Sequence, residues 1–160
     1  MLTVREVRDG DWDAIAYLAS NEVQEGDHSG GIDGPWIATR RSKDRQSRLA
    51  VAEREGSIVG FCAIERTEDE PSDLYRVFIV TDWSTGSREV PEKMLSHVDT
   101  LLREVGAAKA WMREVSSDRA LVQFAIDSGF AASAPYPYSD KELINLARDC
   151  PPLGPQRELT

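Results

Sequence analysis

The chain has 160 residues, and its 28 acidic side chains outnumber 19 basic ones, which gives a formal net charge of −9. This length suits a single domain, and 41% apolar residues exclude wholesale disorder. The acidic balance argues against general nucleic-acid binding, no apolar run is long enough for a membrane span, and two cysteines exclude a disulfide framework or a cysteine-rich metal site. We expect a reduced, cytoplasmic protein with no nucleic-acid, membrane or metal partner.

Alternating strands and helices describe most of the chain. Strands are predicted where β-branched and apolar residues cluster, and helices where apolar residues recur every three or four positions. In chain order we predict a strand (2–7), a helix (12–21), a glycine-rich loop (25–35) and a basic segment that is a solvated helix or loop edge (40–48). Two hairpin strands (48–53 and 58–66), an acidic turn (67–72), a strand (74–80), a polar loop (81–89) and a helix (91–105) follow. The chain continues with a strand (108–115), a helix (117–128), a strand within residues 131–140 and a last strand (142–148).

Capping and turn residues set the boundaries of these elements. Asp11 is expected to cap the first helix, and Pro91 and Gly106 mark the first turn and the end of the second. Gly129 closes the third helix, and Gly56 occupies the hairpin turn. The predicted inner faces are apolar: Trp12, Ile15, Leu18 and Ala19 in the first helix, and Val90, Met94, Val98, Leu101 and Val105 in the second.

This order predicts an α/β (α+β) fold. Strand, helix and strand over residues 74–115 form a βαβ unit with parallel strands, whereas the preceding hairpin is antiparallel, so the sheet is mixed. We expect a central sheet of six to seven strands flanked by four helices, in one domain over residues 1–149. Residues 150–160 contain three prolines and few apolar side chains, which predicts a flexible tail.

Three local patterns, in the same order, resemble the GNAT superfamily of acetyl-CoA-dependent acyltransferases. Residues 120–130, Ala-Leu-Val-Gln-Phe-Ala-Ile-Asp-Ser-Gly-Phe, resemble the family helix that ends in Gly-Phe before a strand. Residues 78–83 followed by Gly86 resemble the strand and pyrophosphate loop, and residues 54–62 resemble a family hairpin. The resemblance implies a GNAT-like fold and transfer of an acetyl or other acyl group from acyl-CoA to the amine of a small molecule.

In that family one strand carries a bulge and splays from its parallel neighbour, so that the pantetheine arm of the cofactor pairs with it. The loop that follows donates backbone N–H groups to the pyrophosphate at a helix N-terminus. The implied contacts with acetyl-CoA or another acyl-CoA are Phe78, Val80, Thr85, Gly86, Ser87 and Arg88.

This loop departs from the family pattern Arg/Gln-x-x-Gly-x-Gly/Ala. Thr85, Arg88 and Val90 occupy the three defining positions. If the Arg88 and Glu89 side chains fold away from the helix mouth, ordinary acyl-CoA binding gains support. If they plug it, a GNAT-fold protein that has lost this chemistry gains support, acting as a binding or regulatory module or catalysing a different reaction. The Arg88 guanidinium is also a candidate to reach a phosphate.

Acyl transfer to an amine needs a base for the ammonium proton and an acid for the leaving thiolate. Base candidates are Asp73 and Tyr75, which share a strand face, and Glu65, with solvated strand ends as the alternative for the two carboxylates. The family's acid is often a tyrosine in the helix that ends in Gly-Phe, a position that Ala125 fills here. Tyr138 or Tyr136 is the substitute, the alternative being packing at a sheet edge.

Substrate-side candidates lie in the glycine-rich loop that, by the resemblance, covers the acceptor site. His28 can bind or deprotonate an amine, the alternative being a solvent-facing side chain. Trp36 is a second candidate, with core packing as its alternative. The acidic residues Glu25, Asp27 and Asp33 favour a cationic acceptor. Exposed strands near the C-terminus are compatible with a homodimer.

Overall fold

A mixed sheet organises the residues that the computed structural model describes, which are 1–20, 23, 47–66 and 73–150. The elements are numbered here in chain order within those residues. Three α-helices are α1 (Trp12–Leu18), α2 (Glu89–Glu104) and α3 (Arg119–Asp127), and two 3-10 turns cover Asp9–Asp11 and Trp83–Thr85. The strands are β1 (Leu2–Glu6), β2 (Ser47–Arg54), β3 (Ser57–Arg66), β4 (Leu74–Thr81), β5 (Lys109–Val115), β6 (Ala131–Ala132), β7 (Tyr136–Tyr138) and β8 (Lys141–Asp149).

The strands lie in the order β1-β2-β3-β4-β5-β8-β6, with β7 also paired to β8. Only β4 and β5 are parallel among these pairs, and all the others are antiparallel. The predicted mixed α/β fold and its βαβ unit are therefore confirmed. The described sheet has eight strands rather than six or seven because residues 131–138 contribute two short strands, β6 and β7.

Two apolar clusters cover the two faces of the sheet. Helices α2 and α3 pack on one face, where Met94 and Val98 contact the sheet residues Val77, Ile79 and Met112 in the larger cluster. Helix α1 packs on the other face. There the predicted inner residues Trp12, Ile15 and Ala19 meet Val51, Phe61, Ala63 and Phe78.

Gly60 lets the first turns of α2 lie close to β3. A Cβ atom at this position would fall 2.7 Å from the Met94 Sδ and 3.0 Å from a Val90 methyl group. The glycine thus places the N-terminus of α2 directly over the sheet, next to the loop that leaves β4.

The parallel pairing of β4 and β5 is short. Its register joins Leu74, Tyr75 and Arg76 to Lys109, Ala110 and Trp111, and the ladder ends there. On its other side β4 is paired with β3 from Tyr75 to Thr81. The divergence implied by the family resemblance is therefore present. The implied bulge is not found in β4, whose register with β3 is regular; the irregularity lies instead in β2, between Ala52 and Glu53.

Two local expectations need correction. Asp11 does not cap α1, because it lies in a 3-10 turn with helical dihedral angles and its carboxylate points back to β1. Arg48 is shared by the predicted basic segment 40–48 and the predicted strand 48–53, and it belongs to the strand, here β2; its Nη2 lies 2.9 Å from Glu104 Oε1 of α2. Residues 24–46, 67–72 and 151–160, including His28 and Trp36, lie outside the described residues. No helix in the described part is long and apolar enough to cross a membrane.

Asp11 connects the edge strand to the turn before α1. It is 7% exposed, and it accepts hydrogen bonds from Arg5 Nη1 at 2.8 Å, Arg5 Nη2 at 3.0 Å and the Arg8 N–H at 2.7 Å. The bidentate Arg5 contact lowers the pKa of Asp11 below its usual value, burial opposes this shift, and the hydrogen bond from the Arg8 N–H lowers the pKa further. Arg5 also donates to Glu53, so β1, β2 and this turn share one charged network.

We expect Asp11→Asn to lower the free energy of unfolding by about 2 kcal/mol at pH 7, because the substitution removes the charge that pairs with Arg5. The melting temperature should fall by about 4–8 °C. A depressed carboxyl pKa stabilises the fold above the unfolded pKa, so the difference from wild type should shrink as the pH falls below about 4. Urea unfolding of both proteins at pH 7 and pH 3 measures this difference in the free energy of unfolding. Asp9→Asn, at an exposed position, is the control, and an equal difference at both pH values would contradict the assignment.

Candidate active site

The divergence of β4 from β5 leaves backbone groups facing a gap. The Asp73 carbonyl accepts hydrogen bonds from the N–H groups of Ala108 at 2.8 Å and Lys109 at 3.2 Å, so it points toward β5. Backbone groups alternate sides along a strand, which places those of Tyr75, Val77 and Ile79 on the same side. Ile79 lies beyond the end of the β4–β5 ladder. An extended ligand can pair with such a strand edge as an added strand.

The loop after β4 has a defined conformation. Asp82 accepts a hydrogen bond from the Ser84 N–H at 3.0 Å, and the Gly86 N–H donates to the Trp83 carbonyl at 3.3 Å. Gly86 has a φ of 74°, the left-handed region that favours glycine, and it turns the chain toward α2. The Trp83 ring packs on Phe124 of α3, with ring centroids 5.6 Å apart, so the loop is packed against this helix.

The side chains of Arg88 and Glu89 point away from the N-terminus of α2, which is called here the helix mouth. Arg88 Nη1 lies 2.9 Å from Asp127 Oδ2 of α3, and its guanidinium lies over the Phe124 ring. Glu89 forms an ion pair with Arg54 of β2. In this conformation the Arg88 guanidinium is paired with Asp127 of α3, and its role as a phosphate contact stays a prediction. Both charged side chains leave the axis of α2 open.

The backbone at this mouth retains hydrogen-bond donors. The Glu89 N–H donates to Ser87 Oγ at 3.3 Å, and Pro91 has no N–H group. Within the described residues, the N–H groups of Arg88 and Val90 have no hydrogen-bond acceptor. They lie at the positive end of the dipole of a 16-residue helix. The loop and mouth therefore suit an anion such as a pyrophosphate.

On the α1 side of the sheet, charged and aromatic residues meet where β4 and β5 diverge. Glu65 of β3 lies directly opposite Arg76 of β4, which in turn is registered with Trp111 of β5. The Arg76 guanidinium lies 4.6 Å from the Phe78 ring centre and 5.3 Å from that of Trp111. The Arg113 guanidinium also lies 5.3 Å from the Trp111 ring. Sequence reasoning missed both arginines, because only strand pairing brings 65, 76 and 111 together.

The structure brings together one part of the predicted site and separates another. Thr85, Gly86, Ser87 and Arg88 lie in one loop, as the resemblance implies. Phe78 and Val80 belong to the α1-side cluster, so their side chains contribute packing.

The acid and base candidates occupy different places. Tyr75 is half-buried in the α2-side cluster, and Asp73 is exposed just before β4. Tyr138 is 63% exposed at the tip of the β7–β8 hairpin, whereas Tyr136 donates to Asn145 Oδ1 at 2.9 Å. Glu65 lies on the α1 side, where Ser47 Oγ donates to Glu65 Oε2 at 3.1 Å.

Solved structures with this architecture are acetyltransferases. The yncA protein of Salmonella typhimurium, solved with its cofactor acetyl-CoA, is 16% identical over 94% of both chains with a TM-score of 0.77. An acetyltransferase of the GNAT family from Streptococcus pneumoniae is 12% identical over 94% of this chain and 100% of its own, with a TM-score of 0.72. The chain has the GNAT acetyltransferase fold.

Another protein with the GNAT fold is spermidine N-acetyltransferase from Vibrio cholerae, in complex with CoA and spermine. It is 10% identical over 93% of this chain and 95% of its own, with a TM-score of 0.72. No family model and no curated protein matches the sequence. The likeness therefore establishes the fold, which confirms the expected resemblance, and the activity must be argued from the site itself.

The two cysteines differ in burial, and neither has the surroundings of a nucleophile. Cys62 is fully buried in the α2-side cluster, and burial raises the pKa of its thiol to about 12. Cys150 is half-buried, and burial also raises the pKa of its thiol.

We expect N-ethylmaleimide to label Cys150 slowly in the native protein and Cys62 only in denaturant, because a buried thiol is protonated and inaccessible. Mass spectrometry counts the labels. Cys150→Ser is the control, and rapid native labelling of Cys62 would contradict this assignment.

Proposed function

We propose that this protein is an N-acyltransferase that transfers an acetyl or other acyl group from acyl-CoA to the amine of a small molecule. The observation that carries the proposal is an open, donor-bearing helix mouth beside a gap between two parallel strands. The mouth of α2 suits the pyrophosphate, and the backbone of β4 near Ile79 suits the pantetheine arm. The relatives solved with acetyl-CoA or with CoA share this fold, which supports the proposal.

Bound acyl-CoA supplies an activated acyl group, whose transfer to an amine releases the CoA thiol. The protein must then remove one proton from the attacking ammonium group and return one to the thiolate. Among the three base candidates we favour Glu65, because it lies on the α1 side, opposite the face that carries α2 and its mouth. Arg76 is the cross-strand neighbour of Glu65 on the same face of the sheet. Asp73, Tyr75 and Tyr138 remain predictions.

The alternative is a GNAT-fold protein without acyl-CoA chemistry. One observation favours it: Arg88 and Val90 replace the family glycines, and Ser87 Oγ already accepts one N–H at the mouth. The outward direction of the Arg88 and Glu89 side chains supports the enzyme instead. Cofactor binding separates the two.

We expect acetyl-CoA to raise the melting temperature by several degrees, because a ligand at about 100 times its dissociation constant adds about 2.7 kcal/mol. Ser87→Asp should weaken acetyl-CoA binding roughly tenfold, because it adds a negative charge beside the pyrophosphate. The same variant should keep the stability of the apo protein, since an acidic side chain suits a helix N-terminus. Isothermal titration calorimetry gives the affinities.

Ser96→Asp is the matched control for this variant, because Ser96 is exposed on the outer face of α2. It should bind acetyl-CoA like wild type. An absence of any shift in melting temperature at millimolar acetyl-CoA would overturn the enzyme proposal in favour of the alternative.

A second experiment tests the base. Glu65→Gln should lower kcat by about 100-fold with little change in the affinity for acetyl-CoA, since the amide cannot accept a proton. Asp73→Asn, measured in parallel, decides between the two carboxylates, and Glu6→Gln on the exposed end of β1 is the control. A loss of activity in Asp73→Asn alone would assign the base to Asp73 and remove Glu65 from the mechanism.

A further inference from the structure

We propose that the acyl acceptor carries a carboxylate close to its amine, as an α-amino acid does, and that Arg113 binds this carboxylate. This inference rests on the proposed acyltransferase function and names its substrate class. It is carried by a group of hydrogen-bond donors on β5 and β8, formed by Trp111, Arg113 and Asn145 and called here the donor cluster.

Arg113 is an exposed cation with no carboxylate partner in the described residues. The Arg113 guanidinium carbon lies 5.3 Å from the centre of the Trp111 ring. Its cross-strand neighbour on β8 is Asn145, and its same-face neighbours along β5 are Trp111 and Val115. None of these is acidic. In a chain of net charge −9, a guanidinium stacked on an indole and left without an ion pair has its five donors available for a ligand.

The other members of the donor cluster also have donors to offer. Trp111 Nε1 is buried and has no hydrogen-bond partner in the part of the chain that the structure describes. Asn145 Oδ1 accepts a hydrogen bond from the Tyr136 hydroxyl, and the NH2 group of the same amide adds two donors. A carboxylate has two oxygens and only accepts, so it complements a cluster of this composition.

The donor cluster lies where an acceptor would meet the acyl group. Trp111 is the last β5 residue in the ladder with β4, so the gap between the two strands begins there. Arg113 lies two residues further along β5, within about 7 Å of that point. The cluster is on the α1 side, whereas α2 and its mouth are on the other face. An acyl-CoA that enters from α2 and passes through the gap presents its acyl group to the α1 side.

This placement limits the acceptor. An amine that attacks at the gap while its carboxylate reaches Arg113 must hold the two groups only a few ångströms apart, as in an α-amino acid. Arg76 lies beside Trp111 on the same face, so this end of the site disfavours a polyamine. The expectation of a cationic acceptor, drawn from Glu25, Asp27 and Asp33, concerns residues outside the described part of the chain.

The test compares each of the free amino acids with its carboxamide as acceptor, following acetyl-CoA-dependent thiol release. At least one amino acid should exceed its amide at least tenfold in kcat/KM. Arg113→Gln should raise the KM for that amino acid roughly tenfold or more, leave kcat and the KM for acetyl-CoA nearly unchanged, and abolish the discrimination. Arg113→Lys should restore part of it. Arg8 is exposed just after β1, which three strands separate from β5, so Arg8→Gln should behave as wild type.

A second measurement separates this inference from the proposed function. Calorimetry without CoA should detect binding of an N-acetyl amino acid, but not of its amide, and Arg113→Gln should lose that binding. Turnover of amides as fast as acids, or unchanged acid binding in Arg113→Gln, would overturn the carboxylate assignment while acyl transfer stands. If acetyl-CoA does not bind at all, the proposed function fails and the calorimetric comparison still decides whether Arg113 binds a carboxylate.

Discussion

The short parallel ladder between β4 and β5 is the constraint on which the candidate site depends. Three residues of each strand are registered, and then the strands diverge while β4 remains paired with β3. The indole of Trp111 lies at this point, and the guanidinium groups of Arg76 and Arg113 each lie 5.3 Å from its ring centre. Neighbouring parallel strands normally hydrogen-bond along their whole shared length, so the early end of this ladder leaves an edge of β4 to which an extended ligand can add.

The start of α2 shows how a site can lose its glycines and keep its donors. A glycine at a helix N-terminus leaves the backbone accessible because it has no side chain. The backbone at Arg88 and Glu89 also stays accessible, because Arg88 pairs with Asp127 of α3 and Glu89 pairs with Arg54 of β2. Each ion pair is exposed and contributes little to stability. They draw both side chains away from the axis of α2, so that its first backbone groups stay accessible. Gly60 beneath α2 sets how closely the helix approaches the sheet.

The candidate site was only partly predictable because its parts follow different rules. The loop from Thr85 to Arg88 is continuous in sequence, so a local pattern located it. Glu65, Arg76 and Trp111 lie on three strands, and their proximity follows from cross-strand register, which one sequence does not display. Asp11 illustrates the same limit on a smaller scale. Its position before α1 predicted a helix cap, but its carboxylate accepts two hydrogen bonds from the Arg5 guanidinium of β1 instead.

The sequence by itself determined the order of strands and helices, the buried face of α1 and α2, the hairpin, and the mixed sheet, because hydrophobic periodicity and turn residues act over a few positions. Only the tertiary structure decided where the β4–β5 ladder ends, which way the Arg88 and Glu89 side chains point, and that Arg113 stands without a carboxylate partner in the described chain. Those features depend on which side chains meet across strands and between helices. The free energy of such contacts depends on packing and charge pairing over the whole sheet, so it cannot be predicted from any local stretch of the sequence.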